Sequence, residues 1–161
     1  NFISNYITFV DILINKKMYK SILKCTLNHM NYTHRLEFKV RDYECDMQGL
    51  VNNSIYQNYL EHARHEFLIS KGINFSEMVA NKINLVVVRA ELDYRDSLKS
   101  GDSFEIGSNI KQITKVRFEF LQDIYRKNDS KLMLQAKIMG TSLNERGRPF
   151  QLDVLSRLFD E

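Results

Sequence analysis

The chain has 161 residues, 43% hydrophobic and 27% charged, enough for an ordinary core and unlike a disordered tail. A net charge of +3 with no long basic run gives no ground for a nucleic-acid binder. Two cysteines, Cys25 and Cys45, make no disulfide or metal framework and fit a reducing, cytoplasmic setting.

Residues 1–29 are rich in Asn, Ile, Lys and Tyr and hold no glycine or proline. The apolar run Tyr6–Ile14 is broken by Asp11 and is far shorter than the ~20 residues of a membrane span. Its basic residues follow the run, the reverse of a secretory signal. The segment reads as an extension, either a packing helix or sequence upstream of a true start at Met30. Residues 30–161 then form a single domain.

From His34 to Val40 the pattern alternates. Leu36, Phe38 and Val40 face one way, and Arg35, Glu37 and Lys39 the other, as in a half-buried strand. A loop with two acids, Glu44 and Asp46, and one glycine, Gly49, follows. A helix then starts near Ser54, where Ser54 and Gln57 spell a capping box and Asn52 and Asn53 compete as caps. Tyr56, Leu60, Ala63 and Phe67 form its core face, with Gln57, Glu61, Arg64 and His65 on a polar face. Gly72 ends it. A weak helical turn is expected at Ser76–Asn81.

Ile83–Arg95 reads as a long strand with Val86, Val88, Ala90, Leu92 and Tyr94 on one face. Ser100–Asp102 is a turn. Phe104, Ile106 and Ile110 alternate in the next strand, Gln112–Lys115 is a hairpin connection, and Val116, Phe118 and Phe120 alternate in turn. Asn128-Asp129 is a hairpin turn. Leu132, Leu134, Ala136 and Ile138 form the last strand, where Gly140 marks a bulge or a close approach. A final helix is expected at Leu152–Phe159. The order implies an α+β domain, one long helix on a mostly antiparallel sheet of five or six strands. One helix covers one face of such a sheet, so a homodimer or homotetramer is expected.

The chemistry concentrates at Arg41–Gly72. A carboxylate a few residues before the bare amides of a helix start can act on a carbonyl whose oxyanion those amides receive. Here the residues run Glu44-Cys45-Asp46-Met47-Gln48-Gly49-Leu50-Val51-Asn52-Asn53, then Tyr56, Tyr59 and Glu61-His62-Ala63-Arg64, with Val87–Tyr94 downstream. This order resembles the hotdog-fold acyl-CoA thioesterases of the 4-hydroxybenzoyl-CoA thioesterase-like family, over roughly residues 32–143. Glu44 stands where that family carries a first Asp, and Met47 where some members carry proline.

The resemblance implies a thioesterase acting on acyl-CoA or acyl-carrier protein. Asp46 would be the nucleophile or general base, and the backbone amide near Asn53 the oxyanion donor. Gly49, Val51, Tyr56 and Glu61 would be substrate-side positions. Lys99, Arg117, Lys127, Arg146 and Arg148 are basic candidates for coenzyme A phosphates, and Tyr56, Tyr59, Phe67 and Phe120 for an acyl tunnel or simply core. No cofactor and no metal is expected, because His62 and His65 lack a third ligand at suitable spacing. The rival from another class is a non-catalytic hotdog module that binds an acyl group or a partner protein. A hotdog dehydratase fits less well, lacking a suitably placed histidine.

Overall fold

A computed structural model describes residues 32–159, so the expectations for residues 1–29 lie outside the described residues. In order, the elements are β1 (His34–Lys39), a 3-10 turn (Asp42–Glu44), the long helix α1 (Asn53–Ser70), the short helix α2 (Phe75–Ala80), then β2 (Asn84–Tyr94), β3 (Ser103–Thr114), β4 (Arg117–Arg126) and β5 (Lys131–Leu143). The five strands form one sheet in the order β1-β3-β4-β5-β2, every neighbouring pair antiparallel. The last expected helix is one α turn, Asp153–Ser156, passing into a 3-10 turn, Arg157–Phe159. Among the described residues no helix is long and apolar enough to cross a membrane.

The helical period decides how α1 meets the sheet. Tyr56, Tyr59, Leu60, Ala63, Phe67 and Leu68 are buried, while Gln57, Glu61 and His65 are exposed. Aromatic rings make the contact: Tyr59 lies 4.8 Å from Phe104 and Phe67 5.6 Å from Phe120, centre to centre. Burying each such side chain is worth about 1.5–3 kcal/mol, so this face holds the helix on the sheet. His62 and His65 set their rings against Phe38 and Phe75, respectively.

Strand β2 departs from the expected pattern. Val87 pairs with Gly140 and Arg89 with Met139, which leaves Val88 as the extra residue of a bulge. One extra residue flips the alternation. The inward face is therefore Leu85, Val87, Ala90, Leu92 and Tyr94, and Val86 and Val88 do not belong to it. Gly140 sits opposite this bulge, and a Cβ there would lie 2.5 Å from the Phe118 ring. The glycine marks both a bulge and a close approach.

His34 closes the far end of the core, its ring edge-on to Phe67 at 5.6 Å. Its Nδ1 is buried without a hydrogen-bond partner among the described residues. Burial holds the imidazole below its ordinary pKa, against an opposing pull from Glu66. The unfolded chain therefore takes up a proton where the folded chain resists it. Stability is full above the ordinary imidazole range and falls as pH drops through it. Thermal melts from pH 8 to 5 should show that slope, and His34→Gln should flatten it.

Candidate active site

The acidic loop is a small hairpin pinned at its base. Cys45 and Val51 form an antiparallel bridge, the Asp46 amide donates to the Leu50 carbonyl at 2.8 Å, and the Asn52 amide to the Glu44 carbonyl at 3.0 Å. Glu44 is occupied by structure. Its Oε2 accepts from the Arg41 amide at 2.7 Å and from the Tyr59 hydroxyl at 2.6 Å. Burial first, and this carboxylate second, drive the Tyr59 phenol far above its usual pKa, so it stays a donor.

Asp46 is exposed, and its two carboxylate oxygens differ. Oδ1 accepts from the Gln48 amide at 2.8 Å and the Leu50 amide at 3.2 Å, which fixes the turn and the side-chain direction. Oδ2 accepts no hydrogen bond among the described residues. Gly49 closes the turn at φ +74°, a left-handed conformation that suits glycine.

The helix opens two residues earlier than the Ser54–Gln57 pairing implies. Asn52 is the cap, its Oδ1 accepting from the Ser54 amide at 3.0 Å. Three adjacent residues can each cap, and Asn52 takes the role because its backbone is extended there, at φ −63° and ψ 141°. Asn53 becomes the first helical residue. Its N–H has no acceptor among the described residues, as a first-turn amide should not.

Leu98, fully buried, ties these parts together. Its carbonyl accepts from the Val51 amide at 2.9 Å, and its amide donates to the Tyr56 hydroxyl at 2.8 Å. Tyr56 is thus a buried post under the loop, with Val51 buried beside it. Tyr56→Phe strands the Leu98 amide without an acceptor and should cost about 1–3 kcal/mol in urea unfolding.

Two adjoining clefts, about 260 and 240 Å³, run between α1 and the β2 side of the sheet and share Glu61, Arg64, Val87 and Ile138. Phe118, Phe120 and Met78 line the larger of them. Phe120, buried in the core, also lines the larger cleft, whereas Tyr56, Tyr59 and Phe67 line neither. A larger hollow, about 890 Å³, lies by β1 and the 3-10 turn, with Glu37, Lys39, Arg41 and Asp42 in its walls. Those charged walls suit an apolar group less well than the clefts do.

Arg64, expected on the polar face, dips inward. Its Nη1 donates to the Gln122 Oε1 at 2.9 Å, and the Gln122 Nε2 donates to the Ser108 hydroxyl and the Leu60 carbonyl, each at 3.1 Å. Gln122 and Ser108 are fully buried. Burial lowers the guanidinium pKa, and the nearby Glu61 charge opposes that.

The sequence pattern of the thioesterase-like superfamily matches residues 40–158. The chain belongs to that superfamily. Over 123 residues it is 36% identical to the chloroplastic acyl-acyl carrier protein thioesterase ATL3 of Arabidopsis thaliana, covering 76% of this chain and 65% of that one. It is 34% identical over 97 residues to a putative esterase of Aquifex aeolicus, covering 60% of this chain and 73% of that one. The chain thus spans slightly less than two thirds of the Arabidopsis relative. Among solved structures, the 1,4-dihydroxy-2-naphthoyl-CoA thioesterase Slr0204 of Synechocystis superposes with a TM-score of 0.73 at 18% identity, over 79% of this chain and 95% of that one. The fold is the hotdog fold.

Within this thioesterase-like domain, one loop and the first turn of α1 carry Asp46, Gly49, Val51 and Asn53. Glu61 stands two turns further along α1, on the cleft. Of the basic candidates, Lys127 is taken by an ion pair with Glu37 at 2.6 Å. The Arg64–Gln122–Ser108 chain was not anticipated. Each half of it has a sequence signal of its own, though not the pairing: Gln122 continues the buried alternation Phe118, Phe120 in β4, and Arg64 lies four residues after Leu60 and three before Phe67.

Proposed function

We propose that the chain hydrolyses an acyl thioester, carried on coenzyme A or on acyl-carrier protein, to free acid and thiol. The observation that carries this is the Asp46 carboxylate, held by one oxygen with the other open, on the loop that leads into the unpartnered Asn53 amide. As nucleophile, Oδ2 attacks the thioester carbonyl carbon and the carbonyl oxygen becomes an oxyanion that accepts from the Asn53 N–H. The carbon–sulfur bond breaks, the thiolate takes a proton from solvent, and water cleaves the resulting anhydride. As general base, the same oxygen instead takes the proton from an attacking water. The 36% identity to the Arabidopsis acyl-acyl carrier protein thioesterase supports the substrate class.

Glu61 and the clefts beside it receive the acyl group, with Gly49 and Val51 shaping the approach and Tyr56 holding the floor. The assembly is a homodimer or homotetramer. Support comes from β2, an edge strand with open backbone groups and with Val88, off the inward face, exposed by 48%. A cytoplasmic setting belongs to the same reading, and the free Cys45 thiol is compatible with it.

A panel of acyl-CoA and acyl-carrier-protein thioesters, followed by free-thiol release, tests the proposal. Turnover of at least one class is expected. One observation favours the non-catalytic alternative: Asp46 Oδ1 already has a structural task. Saturable acyl binding with no thiol released across the panel would select that alternative.

A further inference from the structure

We infer that Arg64 is a specificity-determining residue that reads a hydroxyl placed far down the acyl chain, about ten carbons from the thioester. The inference rests on the acyl-thioester reading above. A guanidinium has five N–H donors, and this one spends a single hydrogen bond, on Gln122, while lining both clefts. Among the described residues it makes no ion pair. A half-buried cation with open donors in a cleft where apolar side chains outnumber polar ones is costly unless something occupies those donors. Gln122, anchored on Ser108 and the Leu60 carbonyl, holds the fork in place rather than neutralising it.

The neighbouring charge selects the ligand chemistry. Glu61, one turn before Arg64, also lines both clefts and acts on Arg64 electrostatically. A carboxylate on the substrate would meet that acid and be repelled. A hydroxyl suits both groups, since its oxygen accepts from Arg64 and its proton is donated to Glu61. Position follows from helix geometry. Arg64 lies eleven residues after Asn53, about 16 Å along the axis, and helical side chains lean back toward the N-terminus, which leaves roughly ten carbons of extended chain.

The test compares thioether analogues of decanoyl, 3-hydroxydecanoyl and 10-hydroxydecanoyl thioesters on coenzyme A and, in parallel, on acyl-carrier protein. Their carbon–sulfur link cannot be hydrolysed, so binding is read apart from turnover. The full chain should bind the 10-hydroxy analogue about tenfold more tightly than the other two. Arg64→Met should erase that preference, because the hydroxyl then enters the cleft without its donor. Arg64→Lys, which keeps the charge but not the fork, should lose most of it and serves if the methionine variant does not fold. Equal affinities in the wild type, a gain for the 3-hydroxy analogue instead, or an undiminished preference in the folded variants would each overturn the inference. Hydrolysis of the parent thioesters is measured alongside. Preference without hydrolysis would sink the hydrolase reading alone, and hydrolysis without preference the Arg64 assignment alone. Binding of no analogue would sink both.

Discussion

Asp46→Asn should lower turnover about 10³-fold while leaving the thermal midpoint nearly unchanged. The reason lies in the division of labour between the two carboxylate oxygens. An asparagine still offers an amide oxygen to the Gln48 and Leu50 amides, so the turn survives. In place of Oδ2 it presents an NH2 group, which can neither attack a carbonyl carbon nor take a proton from water. Asp46→Ala should lose turnover too, and also loosen the loop. Comparing the two by free-thiol release and thermal melts separates chemistry from scaffolding. An asparagine variant that kept more than a tenth of wild-type turnover would remove Asp46 from the mechanism.

Gly140→Ala is expected to destabilise the sheet strongly for a single added methyl group. The added Cβ would meet Phe118 ring carbons at 2.5 and 2.6 Å and the Val86 carbonyl oxygen at 3.2 Å. Phe118 is buried, so its ring can yield only by moving neighbours or by swinging into the cleft it lines. Overpacking of this kind costs about 1–3 kcal/mol. Urea unfolding reads that loss, and Phe118→Leu in the same chain should restore part of it, a coupling that a double-mutant cycle isolates. An alanine variant as stable as wild type would show that the ring and the glycine do not press on one another.

Periodicity made much of the fold legible. The alternation of Leu36, Phe38 and Val40, and the helical spacing of Tyr56, Leu60, Ala63 and Phe67, report burial directly, and burial is what fixes those elements. Three consecutive valines, Val86 to Val88, hide the bulge. Each fits either face of a strand, so nothing local says where the phase slips; the pairing with Gly140 and Met139 does. The helix start was blurred for a related reason, since Asn52, Asn53 and Ser54 are all good caps and only backbone geometry chooses. At the site, Asp46, Gly49 and Asn53 could be read together because eight consecutive residues hold them. Arg64 and Gln122 could not, because 58 residues separate two side chains that make sense only as a pair.

The double tie at Leu98 sets the smallest piece of this domain that can be transplanted. A designer who moves residues 42–52 into another scaffold carries the Val51 donor but leaves its acceptor behind. The segment around Leu98 and the tyrosine at position 56 must travel with it, as three separate stretches cut to one register. Chimeras that respect that trio should keep a well-formed loop, and those that break it should not, however closely the exchanged stretch matches.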